Sequence, residues 1–126
     1  MKRFVVCGLI TAGLLAAGQW SFSHLTNVRD EVLAEVDAIT ELAQSGEPEL
    51  ALERALALTE LWEDREHAMM AFIRHGELDE VTLSLAKLPA YLRHEDLAAF
   101  SAEADTVRRI LWHIWESERF SLVNIL

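Results

Sequence analysis

Five of the carboxylate and imidazole side chains between positions 63 and 79 are candidates for binding a divalent cation. Glu63 and His67 are four residues apart, as are His75 and Asp79, and Glu66 adjoins the first pair. On a helix this spacing puts each pair on one face, where a carboxylate and an imidazole can chelate an ion. Neither an HExxH nor a paired ExxH motif is present. A cation or small-ligand module that uses His67, His75 and Asp79 is therefore the alternative hypothesis, and the leading one expects no metal and no cofactor.

A second group of candidate residues is aromatic and apolar. Trp112 and Trp115 are three residues apart, so on a helix they form one surface. That surface serves either core packing or a shelf for a ligand or partner. Further apolar residues follow it towards position 126. We predict a possible interaction surface made of Trp112, Trp115, Phe120, Leu122 and Ile125.

Recognisable catalytic patterns are missing from the sequence. The serines have no evident His and Asp partners, no nucleophile-elbow motif occurs, and there is no glycine-rich phosphate loop. Cys7 is the only cysteine, so an intrachain disulfide is excluded. We therefore expect that the protein is not an enzyme and assign no catalytic residue.

Composition and charge exclude two further classes of protein. Hydrophobic residues make up 52% of the 126 residues, which excludes disorder as the main description. The formal net charge is −10, although Lys2 and Arg3 stand at the start. The rest of the chain contains nine basic and twenty-one acidic residues, so its formal net charge is −12. Phosphates repel such a domain, and nucleic acid is excluded as a partner.

An uncharged apolar segment follows the two basic residues. It runs from Phe4 to Gly18 and extends without charge to Phe22. As a helix, residues 4–22 would be about 28 Å long, which is close to the thickness of a bilayer's hydrocarbon core. By the positive-inside rule, Lys2 and Arg3 keep the N-terminus in the cytoplasm. The segment therefore predicts export of everything that follows it.

Two interpretations of this segment compete. Residues 1–22 are either a single-pass anchor that contacts the cell membrane through residues 4–22 or a signal peptide cut after Ala16-Ala17-Gly18. We favour the anchor, because no helix breaker precedes that site and helical patterning continues beyond it. In both cases residues 23–126 form an acidic extracytoplasmic domain.

That domain has helical periodicity. Its first helix ends at Ser45-Gly46, where Gly46 can adopt a left-handed cap, and Pro48 suits the first turn of the next helix. The second helix is expected over residues 48–64. The apolar stripe of the first helix, at spacings of three or four, consists of Leu25, Val28, Val32, Val36, Ile39 and Ala43.

Two more helices complete the predicted bundle. The third covers residues 66–93, with Gly76 as a weak point and a kink or break at Pro89, which lacks a backbone N–H. The last begins near Asp96, a suitable N-cap. The short connections favour antiparallel neighbours. The expected fold is all-α, with an N-terminal transmembrane helix continuing into an antiparallel bundle of about four helices.

Four segments follow one another in a recognisable order: LWEDRE at 61–66, FIRHGELDEV at 72–81, LPAYLRHED at 88–96 and SLVNIL at 121–126. Their order resembles a bacterial family known as domain of unknown function 4363. The resemblance implies a small membrane-anchored helical protein and no known activity. We therefore expect an interaction or structural module of the bacterial cell envelope that docks with another envelope protein.

Overall fold

The computed structural model describes residues 1–125. It contains four helices: α1 (Lys2–Gln44), α2 (Pro48–Met69), α3 (His75–Arg93) and α4 (Leu97–Ile125). These helices and their short connections account for the whole described chain. The predicted all-α bundle, with one long apolar N-terminal helix, is confirmed.

The helices form an antiparallel ring. Each packs against two neighbours, in the order α1, α2, α3, α4 and back to α1. The direction of α4 against α1 follows from two contacts: Trp115 meets Thr26, whereas the earlier residue Arg108 meets Asp37 further along α1. Short connections dictate this up-and-down arrangement, because each helix must return beside its predecessor.

The core consists of one apolar stripe from each helix, with Trp62 fully buried among them. The predicted stripe of α1 is buried along its entire length. Burial of these stripes drives assembly, since isolated helices are marginal in water. The core residues of the other three helices include Ala51, Ala55, Leu58, Met69, Leu78, Val81, Leu85, Leu88, Phe100, Ala104, Val107, Leu111 and Ile114.

The first part of α1 projects away from the bundle. Residues 1–17 are exposed throughout, and inter-helix packing begins at Gly18. At 1.5 Å per residue the whole helix is about 65 Å long. By length and composition α1 can cross a membrane, and its most apolar window has no buried residue. A signal sequence would satisfy the same criteria.

Two connections share one capping geometry, in which the residue after the helix cap is left-handed. After α1, Gly46 has φ +81° and Glu47 N–H donates to Leu42 O over 3.0 Å. After α3, Glu95 has φ +56° and Asp96 N–H donates to Tyr91 O over 2.9 Å. Both are Schellman motifs. The predicted cap at Gly46 is confirmed, whereas the one at Glu95 places a Cβ where glycine is favoured.

The expected division between the second and third helices was wrong. α2 continues to Met69, and the chain reverses over residues 70–74 before α3 starts at His75. Met69 O accepts hydrogen bonds from Phe72 N–H and Ile73 N–H, which closes this turn. Ile73 is buried beneath it, so the apolar stripe continues through the reversal and conceals it in the sequence.

Of the kink or break expected at Pro89, the break was wrong. α3 includes this proline and ends at Arg93. Burial of Leu88, Pro89 and Leu92 holds the segment on the core, which compensates for the missing backbone hydrogen bond. Asp96 does cap α4 as predicted, because its Oδ1 accepts a hydrogen bond from Ala99 N–H over 3.1 Å.

Candidate functional site

The end of the bundle at which α1 enters brings together the most polar and aromatic chemistry of the described chain. We call it the proximal end, formed by residues 18–29 of α1, the connection 70–74 and residues 111–123 of α4. α1 and α4 approach closely here, since a Cβ on Gly18 would lie 3.3 Å from Leu122 Cδ2. The opposite, distal end carries the connections after α1 and α3.

A buried arginine lies at the centre of the proximal end. Arg29 is only 8% exposed, and its guanidinium carbon lies 4.5 Å from the ring centroids of both Trp112 and Trp115. The two indoles meet edge to face, with centroids 5.6 Å apart. Asp30 Oδ1 accepts hydrogen bonds from Arg29 Nη2 and Nε at 2.8 and 3.0 Å. The charge is thus stabilised by two π-faces and one carboxylate.

The remaining guanidinium nitrogen is chemically unusual. Nη1 of Arg29 is buried and has no hydrogen-bond partner within the described residues. A buried donor without an acceptor is costly, so the indole faces must supply its stabilisation. The surface formed by Trp112 and Trp115 is therefore occupied by the protein's own cation. Arg29, Trp112 and Trp115 together hold α1 against α4, and we call these three residues the clamp.

Trp115 is fixed on its other sides as well. Its indole N–H donates to Thr26 Oγ1 over 3.0 Å, and Thr26 donates to Phe22 O over 3.0 Å. The ring of Phe22 packs on it with centroids 5.7 Å apart, and Arg119 covers it at 5.5 Å. This indole therefore serves the packing of α1 on α4.

The predicted interaction surface divides into two parts. Trp115 and Leu122 are half-buried and turn towards α1. Trp112 is 46% exposed and Phe120 is 66% exposed, so these two remain open to solvent. The side chain of Ile125 lies outside the described part of the chain.

A cavity of about 190 Å³ lies beside the clamp, between α1, α4 and the connection after α2. Among the described residues that line it, Glu118 is the only charged one. Burial raises the pKa of the Glu118 carboxyl and the negative charge of Glu77 raises it further, whereas Arg74 lowers it. The cavity lining consists of Gly18, Ser21, Phe22, Leu25, Phe72, Glu118, Ser121 and Leu122.

A second buried polar group links α2 to α3. Trp62 Nε1–H donates to Thr82 Oγ1 over 2.8 Å. The Thr82 hydroxyl lies 3.0 Å from Glu66 Oε1 and 3.0 Å from Leu78 O, and its single proton serves one of these acceptors at a time. Glu66 is only 8% exposed. The network satisfies a core indole, which is a structural role.

The residues predicted to bind a cation are not gathered into a site. His67 is exposed at the end of α2, and its Nδ1 lies 2.8 Å from Glu63 O. His75 and Asp79 are exposed on the first turns of α3. Across residues 1–125, no three His, Cys, Asp or Glu side chains are grouped so that they could hold a metal ion. Glu66, which the sequence grouped with them, points into the core.

The comparison with known proteins agrees with the resemblance in the sequence. A family model described as Domain of unknown function (DUF4363) matches residues 19–125. The chain belongs to this family. No curated protein and no solved structure matches it. The DUF4363 match begins at Gln19, one residue after the contact of Gly18 with α4, so it covers the bundle and almost all of its proximal end.

Sequence reasoning did not predict the burial of three charged groups of this DUF4363 bundle: Arg29 and Glu118 were not singled out, and Glu66 was assigned to the cation-binding group. Arg29 lies four residues after Leu25, Glu66 four after Trp62, and Glu118 four after Ile114. Each preceding residue is in the core, so each charge occupies the next register position of an apolar stripe. That placement is the signal that would have identified them. A charge in a core register needs a partner, and for Arg29 and Glu66 the partner comes from another helix.

Proposed function

We propose that the protein is a single-pass membrane protein of the bacterial envelope, with its acidic bundle outside the cytoplasmic membrane as an interaction or structural module. One observation carries the proposal: α1 is a single uninterrupted helix in which the uncharged residues 4–17 are all exposed, and whose remainder builds the bundle. An exposed apolar surface of this length is incompatible with water but suits a bilayer.

Continuity of the helix favours an anchor over a cleaved signal. Cleavage after Gly18 would cut in the middle of a helix, just before residues that pack on α4. The orientation follows from charge, because Lys2 and Arg3 are basic whereas the bundle is strongly acidic. The bundle then lies directly against the outer face of the cytoplasmic membrane, because the continuous helix α1 joins it to the span.

Fractionation of cells tests the location. We would express the full chain with a tag after Leu126, separate membranes from soluble fractions, and treat intact spheroplasts with protease. A full-length membrane-bound product with a digested tag supports the proposal. A shortened soluble product would mean cleavage and overturn the anchor. A protected tag would put the bundle in the cytoplasm and overturn the orientation.

A matched pair of variants makes this test specific to the exposed part of α1. Leu14 is 69% exposed on α1, and Leu83 is 64% exposed on α3. Leu14→Arg places a charge near the middle of the proposed span, at a cost of about 3 kcal/mol, whereas Leu83→Arg changes only the bundle surface. We expect the membrane-bound fraction to fall for Leu14→Arg alone. Equal fractions for the two variants would contradict the anchor.

The module function assumes that another envelope protein docks on the bundle. The exposure of Trp112, at 46%, supports α4 as the docking face, because aromatic side chains contribute much of the binding energy at protein interfaces. The residues after Arg3 carry nine basic and twenty-one acidic side chains, a net charge of −12, which favours a partner with a basic surface.

Site-specific crosslinking tests this docking face. A benzoylphenylalanine at position 112 keeps an aromatic ring there, and the same group at position 83 is the control on α3. One discrete crosslinked product in intact cells from position 112, absent from position 83, is the expected result. Equal crosslinked products from positions 112 and 83, or no product from either, would contradict the proposal that α4 is the docking face.

A further inference from the structure

We propose that the last turns of α4 form a second membrane contact, in which Phe120 and Val123 insert into the interfacial layer of the outer leaflet beside the anchor. This inference rests on the proposed single-pass anchor and deepens it. It assigns a lipid surface, rather than a protein, to the most exposed apolar residues of α4. Two attachments, the span of α1 and this turn, would fix the tilt of the bundle on the membrane.

The first argument concerns height along α1. α4 runs antiparallel to α1, and its last turns lie beside the end of the apolar segment. Leu122 is packed at Gly18, and Ser121 shares a cavity lining with Ser21 and Phe22. Residues 18–22 are the last uncharged residues of the proposed span. A side chain at this height on the outside of α4 therefore meets the lipid interface.

The second argument concerns composition and exposure. Phe120 is 66% exposed and Val123 is 63% exposed, and their spacing of three puts them on one face of α4. Residues 120–126 carry no charged side chain, in a chain that is otherwise rich in acid. In water the exposed side chains of Phe120 and Val123 are unfavourable, whereas in the interfacial layer they gain free energy from burial.

The flanking residues fit a membrane interface. Trp20 is 67% exposed on α1, at the height where aromatic rings favour the headgroup layer. Arg119 is the first charged residue before the uncharged segment, and an exposed guanidinium can bind lipid phosphate. The bilayer is already held beside this surface by α1, so its effective concentration exceeds that of any diffusing partner.

Depth-dependent fluorescence quenching tests the inference on the full chain. Cys7 is the only cysteine, so Cys7→Ser gives a background in which Val123→Cys or Ser101→Cys carries one environment-sensitive label. Ser101 is exposed near the start of α4, at the distal end. The unaltered Cys7 carries the label that reports on the anchor. The vesicles contain phosphatidylcholine and phosphatidylglycerol, with quenching groups either near the headgroup or deep in the acyl chains.

The outcomes separate this inference from the anchor on which it rests. We expect deep quenchers to act on the label at Cys7, and shallow quenchers to act several-fold more strongly at position 123 than at position 101. Equal shallow quenching at positions 123 and 101, with Cys7 still quenched, would overturn the inference and leave the anchor intact. An unquenched label at Cys7 would overturn both.

An aqueous quencher adds a check against the rival occupant. If iodide is excluded from position 123 while lipid quenchers have no effect there, a protein or a second copy of the chain covers the face, and the lipid contact is refuted. Exclusion of iodide together with shallow lipid quenching supports it. Phe120→Cys, labelled in the same background, should repeat the result because it shares the face.

Discussion

Arg29 stacks its guanidinium on the face of Trp115, with the guanidinium carbon 4.5 Å from the ring centroid. The contact joins α1 to α4 at the height where the bundle begins. Trp112 offers a second ring at the same distance, so the cation lies against two indoles. An arginine can occupy such a place because its charge is delocalised and weakly hydrated, unlike that of lysine.

The first prediction concerns this clamp. Arg29→Ala should lower the free energy of unfolding by about 2 kcal/mol, because the cation–π contacts and the packing of the side chain are lost together. Arg29→Lys should recover only part of it, since an ammonium cannot stack on both rings. Urea unfolding of the full chain in detergent micelles, followed by the near-ultraviolet circular dichroism of the indoles, measures the effect.

Arg109→Ala is the control for that prediction, because Arg109 is an exposed arginine on α4. Its removal should change stability little. Equal losses for Arg29→Ala and Arg109→Ala would mean that the clamp contributes nothing specific. Asp30→Asn tests the ion pair separately, and we expect a small effect because the Asp30 side chain is 62% exposed.

A second prediction addresses the link between α2 and α3. Thr82→Val keeps the volume but removes the hydroxyl, which leaves the buried Trp62 N–H without its acceptor and Glu66 without its donor. Stranding a buried donor costs about 1–3 kcal/mol. The free energy of unfolding should fall by that amount. Thr106→Val is the matched control, because the exposed Thr106 hydroxyl donates only to Ala102 O on its own helix. A comparable loss of unfolding free energy for Thr106→Val would refute a stabilising role of the Trp62–Thr82–Glu66 network.

The sequence predicted the helical class and the stripe and cap of α1, but it did not predict the turn between α2 and α3 or the buried charged side chains. Spacings of three and four identified the stripe of α1, and Gly46 marked its end, because both features are local. The reversal before His75 was not predictable in this way, since Ile73 keeps the apolar spacing across the turn and no glycine or proline marks residues 70–74.

The candidate site was predicted less well, for a physical reason. Trp112 and Trp115 do lie together, but the group that packs on their rings is Arg29, which is more than eighty positions away in the chain. Pairings of that kind depend on how helices rotate against each other, and a single sequence does not contain that information. The residues of the cation hypothesis also depend on how helices are arranged, because His67 lies on α2 and His75 on α3, and both are exposed.

A third prediction uses the strained cap after α3. Glu95 has φ +56°, a conformation that costs a residue with a Cβ roughly 1 kcal/mol relative to glycine. Glu95→Gly should therefore raise the free energy of unfolding by about that amount, less the extra entropy that glycine gives the unfolded chain. Glu95→Ala removes the carboxylate but keeps the Cβ, so it should not stabilise. If both variants stabilise equally, charge rather than backbone strain is the cause.

The reverse change at the other cap should destabilise. Gly46 has φ +81°, and Gly46→Ala introduces the same strain, at about 1 kcal/mol. No atom lies within 4 Å of the added Cβ, so the effect comes from the backbone alone. Thermal unfolding of the two cap variants should shift in opposite directions. Shifts in the same direction would contradict the Schellman assignment.

The last prediction concerns pH. Burial and the neighbouring Glu77 raise the pKa of the Glu118 carboxyl above its ordinary value of 4.5, against the opposing effect of Arg74. The folded chain therefore keeps this proton at pH values where the unfolded chain has released it. The resulting stability is fully present below pH 4.5 and is lost as the pH rises through the folded pKa.

Glu118→Gln, which stays neutral, should lack that loss. The difference in unfolding free energy between this variant and the unaltered chain should grow in favour of the variant as the pH rises above 4.5, and then level off. Glu116→Gln is the control on the same helix, because Glu116 is exposed. A difference for Glu118→Gln that does not change with pH would show that the carboxyl titrates alike in the folded and unfolded chains, and that the cavity does not perturb it.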